Sequence, residues 1–121
     1  MSALFERDGI RFRYPENWQL EPEDGDNGWT VAVYGPGTAI LILSLDESMP
    51  EAEHMADTAL GALREDYPDL EADPCMDTVA NQPAYGHDIR FFSLDLTNTS
   101  WTRALYSAQG TLLVMSKVLQ S

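Results

Sequence analysis

Apolar and polar residues first alternate clearly in the segment Gly9–Tyr14. Its Ile, Phe and Tyr side chains fall on one side of an extended chain and its two Arg side chains on the other, which predicts a half-buried β-strand. Pro15 cannot donate a ladder hydrogen bond, and the Glu-Asn pair after it suits a tight turn. We therefore interpret Tyr14–Trp18 as a turn whose aromatic residues are structural, leading into a second short strand around Trp18 and Leu20.

Two later segments resemble each other, and both patterns are typical of β-hairpins. Trp29–Leu43 and Trp101–Met115 each begin Trp-Thr-x-Ala-x-Tyr, pass through a glycine and resume with threonine and an aliphatic run. This alternation around a glycine-containing connection predicts two antiparallel strands per segment. Because the Trp and the Tyr of each first strand are separated by an odd number of positions, they are expected on opposite faces of the sheet. We interpret the similarity as the result of two hairpins that have the same local sequence requirements. An internal duplication is the alternative.

The segment between the hairpins has the period of a helix instead. Its apolar positions recur every three or four residues, so they form one stripe along a helix that Pro68 ends. Ser48–Glu51 is expected to start this helix as a capping box, with Pro50 tolerated in the first turn. The stripe is expected to be core, and it consists of Ala52, Met55, Ala56, Ala59, Leu60, Leu63 and Tyr67.

The remaining segments divide into loops and strands. Glu21–Gly28 is predicted as a solvated acidic loop, because its carboxylates fail the spacing of a calcium-binding loop in both registers that could be tried. Asp69–Pro83 is predicted as a loop that leads into a short strand near Met76–Ala80 and closes with a turn. The later strands are expected at Ala84–Phe92 and from Gly110 to about Val118, on either side of a connection at Ser93–Ser100 and the second hairpin's first strand.

Together these elements predict an α+β domain, with a mainly antiparallel β-sheet of about six or seven strands and one main helix packed on it. At 121 residues, the whole chain (1–121) is expected to form a single domain. A chain of this size buries roughly two-thirds of its unfolded surface, so folding needs neither a disulfide nor a metal. Cys75 is the only cysteine in the sequence, which excludes an intrachain disulfide.

Net charge excludes several classes of partner. Asp and Glu number 20 against 7 Lys and Arg, which gives a formal net charge of −13. Such a surface repels phosphate backbones and anionic membranes, so neither nucleic acid nor a membrane is an expected partner. The longest apolar run, Ala39–Leu43, is far shorter than a membrane span. The N-terminal residues lack the basic and apolar regions of a signal peptide, so a soluble protein with a cytoplasmic location is expected.

The sequence offers little catalytic chemistry. Cys75 lies near Asp73 and Asp77, whose carboxylates disfavour a reactive thiolate. His87 is expected on a strand face shared with apolar residues, as a core or edge residue, and no zinc-site spacing joins Cys75, His87 and His54. Neither a G-x-S-x-G elbow nor a glycine-rich phosphate loop is present. We therefore predict no catalytic, cofactor-binding or metal-binding residue and no cofactor, and we do not expect an enzyme.

Three stretches carry a resemblance to a known family. Phe12–Trp18 (FRYPENW), Val79–Phe91 (VANQPAYGHDIRF) and Thr102–Met115 (TRALYSAQGTLLVM) together resemble the Mog1/PsbP-like family, which includes bacterial domains of the DcrB and Eag type. The resemblance implies an antiparallel sheet with helices packed on it and no catalysis, since known members are adaptors such as a Ran-binding protein, a photosystem II extrinsic subunit and chaperones of secreted effectors. Family members usually have a C-terminal helix after the last strand, whereas this sequence ends before one.

The expected function is that of a non-catalytic adaptor or chaperone-like module that binds a protein of unknown identity. The alternative is a small-ligand or lipid-binding domain with a pocket between helix and sheet, lined by Trp and Tyr. A flat exposed apolar patch favours the adaptor. A pocket large enough for a ligand, with convergent polar groups, favours the ligand-binding domain.

Two predicted strands are apolar on both faces, which raises the question of what covers the sheet opposite the helix. Thr38–Leu45 and the strand after Gly110 carry aliphatic residues at consecutive positions. Strands of this kind are usually buried on both faces, whereas a single helix covers only one face of the sheet. A second copy in a symmetric homodimer is our first expectation. A protein partner, or the chain's own segments Met1–Arg7 and Asp69–Asp77, are the alternatives.

Overall fold

The computed structural model describes residues 1–37, 39–93 and 96–120, without the side chains at 93, 96 and 118–120. Seven strands form one sheet in the order β3-β4-β5-β9-β8-β7-β6, β1 and β2 form a separate two-stranded sheet, and every neighbouring pair is antiparallel. The predicted α+β class, the strand number of the main sheet and the packed helix are confirmed. The elements are β1 (Ser2–Arg7), β2 (Ile10–Pro15), β3 (Gln19–Gly25), β4 (Gly28–Tyr34), β5 (Ile40–Asp46), α1 (Ala52–Asp66), β6 (Glu71–Val79), β7 (Gln82–Ser93), β8 (Leu96–Tyr106) and β9 (Thr111–Gln120).

The first two strands form a hairpin around the two-residue turn Asp8–Gly9. Both turn residues have positive φ, 51° and 81°, as a type I′ turn requires. The second strand is the predicted one, with its Ile, Phe and Tyr side chains half-buried and both arginines exposed. The turn predicted at Tyr14–Trp18 is confirmed, and the Trp18 N–H donates to the Pro15 carbonyl oxygen at 3.0 Å.

The two similar hairpins lie side by side at the centre of the large sheet, and both predictions are confirmed. They meet through the antiparallel β5–β9 pair. Val31 pairs with Leu43 in the first hairpin and Arg103 pairs with Val114 in the second, while Leu43 and Val114 pair with each other. Equivalent positions therefore pair across the junction, so the β4–β5 and β8–β9 hairpins are related by an approximate two-fold axis through the sheet.

The two outer strands of the large sheet correct the sequence analysis. Glu21–Gly28 is not a loop, since it forms most of β3 and the turn into β4. The loop predicted in the first part of Asp69–Pro83 lies mostly within β6, which also contains most of the strand predicted near Met76–Ala80. Each strand contains three acidic residues and one proline, which have low strand propensity. Pairing with one neighbour holds them extended, and edge strands tolerate proline where its nitrogen faces away from the partner. Thr38 and the predicted connection at Leu94–Asp95 lie outside the described residues.

Helix α1 packs across β7, β8 and β9. The predicted apolar stripe is confirmed, because every one of its residues is buried or half-buried. The predicted capping box is wrong: Ser48 directs its N–H and hydroxyl to Asp46 Oδ1, at 3.0 and 2.6 Å, and Glu51 makes no side-chain cap. Tyr106 satisfies the first turn instead, because its hydroxyl oxygen accepts a 2.9 Å hydrogen bond from the Ala52 N–H.

Replacement of Tyr106 by phenylalanine tests this cap. We expect Tyr106→Phe to lower the free energy of unfolding by about 1 kcal/mol, because the Ala52 N–H loses its acceptor. Tyr34→Phe is the matched control: Tyr34 occupies the equivalent position of the other hairpin, and its hydroxyl has no hydrogen bond among the described residues. Urea denaturation measures both. Equal losses in the two variants would contradict the assigned cap.

The β1–β2 hairpin packs on the face of the large sheet opposite α1. The Phe5 ring lies 5.4 Å from Trp29, and Asp8 Oδ2 accepts a 2.8 Å hydrogen bond from Trp29 Nε1. Trp29 is only 3% exposed as a result. Beneath the hairpin lies the apolar core of this face, formed with Trp29 by Val31, Leu43, Leu45, Ala84, Leu105 and Leu112.

Part of the predicted cover is therefore supplied by the chain itself. Met1–Arg7 covers this face through β1, as one alternative expected, whereas Asp69–Asp77 does not lie over it and belongs mostly to the edge strand β6. The face is covered over its β4–β5 half and open over its β8 half, so the predicted homodimer stays a prediction. Among the described residues, no helix is both long and apolar enough to cross a membrane.

Candidate binding site

The hairpin stops short of the β8 side of the sheet and leaves a cleft of about 560 Å³ beside it. One wall is the run Gly9–Arg13 along β2, and the opposite wall is the turn between β6 and β7 with Val79 and Gln82. Tyr106 and Ser107 close one end. The floor belongs to the large sheet and consists of Leu41, Leu43, Trp101, Leu105, Leu112 and Val114.

The floor of the cleft changes from buried to open along its length. Leu43, Leu105 and Leu112 are buried at its deep side, while Leu41 and Val114 are half-buried. Trp101 is 38% exposed at the mouth. It is the two-fold equivalent of the buried Trp29. The hairpin therefore covers the tryptophan of one half of the sheet, and the tryptophan of the other half is exposed.

A buried arginine fixes the position of Trp101. The Arg103 guanidinium lies 5.7 Å from the centre of the Trp101 ring, a cation–π distance. It is ion-paired with Asp88 at 3.0 Å and with Asp77 at 3.6 Å, and it donates to the Thr102 carbonyl oxygen at 2.7 Å. Because the guanidinium has several partners at once, the ring beside it is held in place, which lowers the entropy lost when a ligand covers it.

The upper rim of the cleft is basic in a protein that is otherwise acidic. Arg11 and Arg13 are both exposed on β2. Arg11 is engaged by Glu6 across the hairpin at 3.4 Å, whereas Arg13 has no ion pair among the described side chains. The cleft thus combines an apolar floor with a positively charged edge.

A second, shallower groove runs along α1. The helix contacts β7, β8 and β9, so β4 and β5 are open beside it on the helix face. The groove measures about 450 Å³ and is lined by Ser44, Asp46, Pro50, His54, Met55, Thr58, Ala59, Ala62 and Leu113. The sequence predicted a ligand pocket between helix and sheet, lined by Trp and Tyr. Neither residue type lines this groove, but a smaller cavity of about 280 Å³ at the start of α1 is lined by Tyr85 and Tyr106. The largest of these cavities, with Trp101 at its mouth, lies on the opposite face of the sheet.

The residues weighed for catalysis do not come together. Cys75 is half-buried on the face opposite α1, His54 is exposed on α1, and His87 is buried under α1. His87 Nε2 lies 3.5 Å from Asp57 Oδ1, and its Nδ1 has no hydrogen-bond partner in the described part of the chain. The predicted core position of His87 is confirmed. Among the described residues, no three potential metal ligands cluster.

Tyr85, beside His87, stays protonated near neutral pH. Packing against the helix raises the pKa of its phenol by desolvation, and the nearby carboxylates of Asp57 and Glu53 raise it further. The ring meets His87 edge-on at 5.7 Å. A neutral phenol there acts as a packing residue between sheet and helix and is a poor general base.

The cleft was not predicted from the sequence, although one signal for its wall was present. Asp8-Gly9, flanked by alternating apolar residues, is a strong short-range signal for a hairpin at this wall. The choice of the sheet half that the hairpin covers depends on Phe5, Asp8 and Trp29 meeting across more than twenty residues of sequence, which no local pattern indicates.

Comparison with known proteins adds little beyond this geometry. No protein-family model matches the chain, and no curated protein matches it significantly. The chain is similar to the crystal structure of PA94 from Pseudomonas aeruginosa, a protein of unknown function, with a TM-score of 0.47 and 13% sequence identity. That alignment covers 97% of this chain and 82% of PA94. A likeness this distant carries no inference about function.

Proposed function

We propose that the protein is a non-catalytic adaptor that binds a partner protein in the cleft between the β1–β2 hairpin and the β8 side of the sheet. One observation carries the proposal: Trp101 is open at the mouth of an apolar floor, while its two-fold equivalent Trp29 is roofed. The Mog1/PsbP-like resemblance, which stays a prediction from the sequence, agrees with a binding role.

The cleft has the composition of a protein-binding hot spot. Tryptophan and arginine are enriched at such sites, where a central anchor is surrounded by residues that exclude water. Here Trp101 is the anchor, Arg103 supports its ring, and the aliphatic floor lies beside it. Covering apolar surface of this kind contributes about 25 cal/mol for each Å² removed from water.

A small apolar ligand or lipid is the second candidate, and the size of the cleft favours it. About 560 Å³ lies within the usual range for small-molecule sites, and most of the lining is apolar. Polar groups are few, with Gln82 and Ser107 at the walls and the two arginines at the rim. A ligand in this cleft would therefore be mainly apolar, with at most one anionic group near the rim.

Two variants with equally exposed aromatic residues test the proposal. Trp101 is 38% exposed in the cleft, and Tyr34 is 39% exposed on the helix face. We expect a protein captured by the wild type from an extract of the source cells to bind the Trp101→Ala variant at least tenfold more weakly, since a hot-spot tryptophan contributes about 2 kcal/mol or more. Tyr34→Ala is expected to bind it as the wild type does.

The same purified proteins separate the two candidates. Native mass spectrometry shows whether the wild type carries a small molecule in stoichiometric amount. A lipid-sized mass that is lost in Trp101→Ala, together with no captured protein, would replace the adaptor by the ligand-binding domain. Capture that is unchanged by Trp101→Ala and lost in Tyr34→Ala would move the binding site to the helix face.

A further inference from the structure

β2 has an unpaired backbone edge, and that edge forms a wall of the cleft. Among the described residues β2 pairs only with β1. The wall consists of consecutive residues, Gly9–Arg13, so inward-pointing and outward-pointing positions of β2 both reach the cleft, while no residue of β1 lines it. Consecutive lining residues indicate that the backbone itself faces the opening.

The register shows which backbone groups are free. A two-residue turn is closed by a hydrogen-bonded pair, here Arg7 and Ile10, and along an antiparallel ladder such pairs alternate with non-hydrogen-bonded ones. Arg11, opposite Glu6, and Arg13, opposite Leu4, are therefore non-hydrogen-bonded positions. Their N–H and C=O groups point away from β1 and towards the cleft.

The outer strands of the large sheet, β3 and β6, are protected against the addition of another strand, whereas β2 is not. Hydrogen-bonded and non-hydrogen-bonded pairs also alternate from the turns of these strands. Pro22 of β3 and Pro74 of β6 are both non-hydrogen-bonded positions, so the proline nitrogen faces away from the sheet. Proline and surrounding carboxylates are devices that prevent strand addition at a sheet edge. Ile10–Tyr14 contains neither proline nor a carboxylate.

From these observations we infer that a partner binds by adding a β-strand to the free edge of β2, as an extended segment with alternating apolar and acidic residues. This rests on the proposed adaptor function. The apolar side chains of the added strand face the floor with Ile10, Phe12 and Tyr14, and the acidic ones lie opposite Arg11 and Arg13. The free edge spans about five residues, or roughly 17 Å, and its charge selects an acidic strand.

The added strand extends the cover that the β1–β2 hairpin provides over one half of the sheet face. The β1–β2 hairpin covers Trp29, and a third strand beside β2 lies over the floor towards Trp101, its two-fold equivalent. Backbone hydrogen bonds supply affinity in this binding mode, and alternate side chains supply specificity. The occupant is therefore an extended segment of another protein, since a helix leaves the backbone groups of Arg11 and Arg13 unpaired.

A short synthetic peptide provides the test. The probe is acetyl-Ser-Val-Glu-Val-Glu-Val-Ser-amide, whose three valines and two glutamates match the five positions from Ile10 to Tyr14. The first control carries lysine for glutamate, and the second has the two glutamate amides N-methylated. Affinities are measured by fluorescence anisotropy at about 0.15 M salt, where charges further apart than about 8 Å are largely screened.

We expect the glutamate peptide to bind at least tenfold more tightly than either control. The net charge of −13 favours the lysine peptide at long range, so a preference for glutamate has to come from the arginines on β2. N-methylation removes the two N–H groups that pair with β2, and losing about 1.4 kcal/mol already gives a tenfold change.

Two proline variants locate the binding edge on the protein. Arg13→Pro removes an N–H that faces the cleft, Leu4→Pro removes one from the outer edge of β1, and neither N–H is used between β1 and β2. Binding is expected to fall at least tenfold in Arg13→Pro and to stay within about twofold in Leu4→Pro. Arg13→Ala, which keeps the N–H, is expected to lie between them. Hydrogen exchange should slow at Arg11 and Arg13 on binding, and not at Leu4 and Glu6.

The outcomes separate this inference from the proposed function. No binding at about 1 mM peptide, or equal binding of the N-methylated peptide, overturns strand addition, and the Trp101→Ala capture experiment then still decides whether the cleft binds protein. Slow exchange at Arg11 and Arg13 that appears with protein concentration alone would mean that a second copy occupies the edge, which also overturns the assigned occupant.

Discussion

Phe91→Ala is expected to lower the free energy of unfolding by about 3–5 kcal/mol, the range for removing a fully buried aromatic ring. Phe91 is 1% exposed, and its ring lies 4.3 Å from Tyr67 at the end of α1. It packs in the same cluster as Leu60 and Ile89. The cavity left by the ring opens between sheet and helix, so α1 should lose protection against hydrogen exchange before the strands of the sheet do.

The neighbouring residue supplies the control for this prediction. Phe92 belongs to the same strand, points to the opposite face and is 62% exposed. Phe92→Ala is expected to change stability by less than about 0.5 kcal/mol, as exposed substitutions usually do. Urea denaturation with an unchanged m-value measures both variants. Comparable losses would mean that α1 does not seal this part of the core.

Gly86→Ala is expected to cost about 3 kcal/mol or more, because the new methyl group has no space. Gly86 lies on β7 opposite Arg103, and a Cβ there would overlap the carbonyl oxygen of Thr102 on the adjacent strand. The obstruction is backbone, so it cannot be relieved by a change of rotamer. The strands β7 and β8 would have to separate at the point where Arg103 meets Asp88.

Gly61→Ala makes the same chemical change with the opposite expected result. Gly61 lies within α1, and a Cβ there would meet nothing within 4 Å. Alanine is the better helix former by up to about 1 kcal/mol, so this variant should be more stable than the wild type. Thermal unfolding of the pair provides the measurement. A destabilised Gly61→Ala, or a harmless Gly86→Ala, would contradict the packing described for these two sites.

The elements that could be predicted are those whose signal is local. The helix stripe from Ala52 to Tyr67 and the two hairpins that begin at Trp29 and Trp101 follow from periodicity, which depends only on which side of an element is buried. These segments have consistent propensity and pattern, so tertiary contacts confirm what the sequence already favours. They account for the fold class and for the order of most elements.

The elements that could not be predicted depend on a partner distant in sequence. β3 and β6 contain proline and many carboxylates, and they are strands only because β4 and β7 pair with them. The cap on α1 comes from the hydroxyl of Tyr106, which is more than fifty residues away in sequence from the Ala52 N–H. Ser48–Glu51 matched a local capping motif, yet the N–H and hydroxyl of Ser48 donate their hydrogen bonds to Asp46 Oδ1. A local rule fails where a nonlocal contact satisfies the same group.

The binding cleft belongs to the same class of features. Its floor could be foreseen, because consecutive aliphatic residues in the strands beginning at Ile40 and Thr111 require cover on both faces. Its open side could not, because that depends on the contact of Phe5 with Trp29 and on the Asp8–Trp29 hydrogen bond. The sequence correctly indicated that the sheet face opposite α1 needs cover, and the β1–β2 hairpin supplies that cover over one half of the face.

The two-fold relation between the central hairpins also bears on how the chain avoids misfolding. A symmetric sheet presents two similar surfaces, one over each tryptophan, and the hairpin covers the one beside β3, to which a three-residue turn joins it. The sites differ in polarity at two positions, where Val31 and Leu45 of the first half are replaced by Arg103 and Ser116 in the second. Covering the guanidinium that Asp77 and Asp88 hold with the apolar face of the hairpin carries a desolvation cost. Arg103 and Ser116 therefore favour docking of the hairpin over Trp29 and leave the second half open.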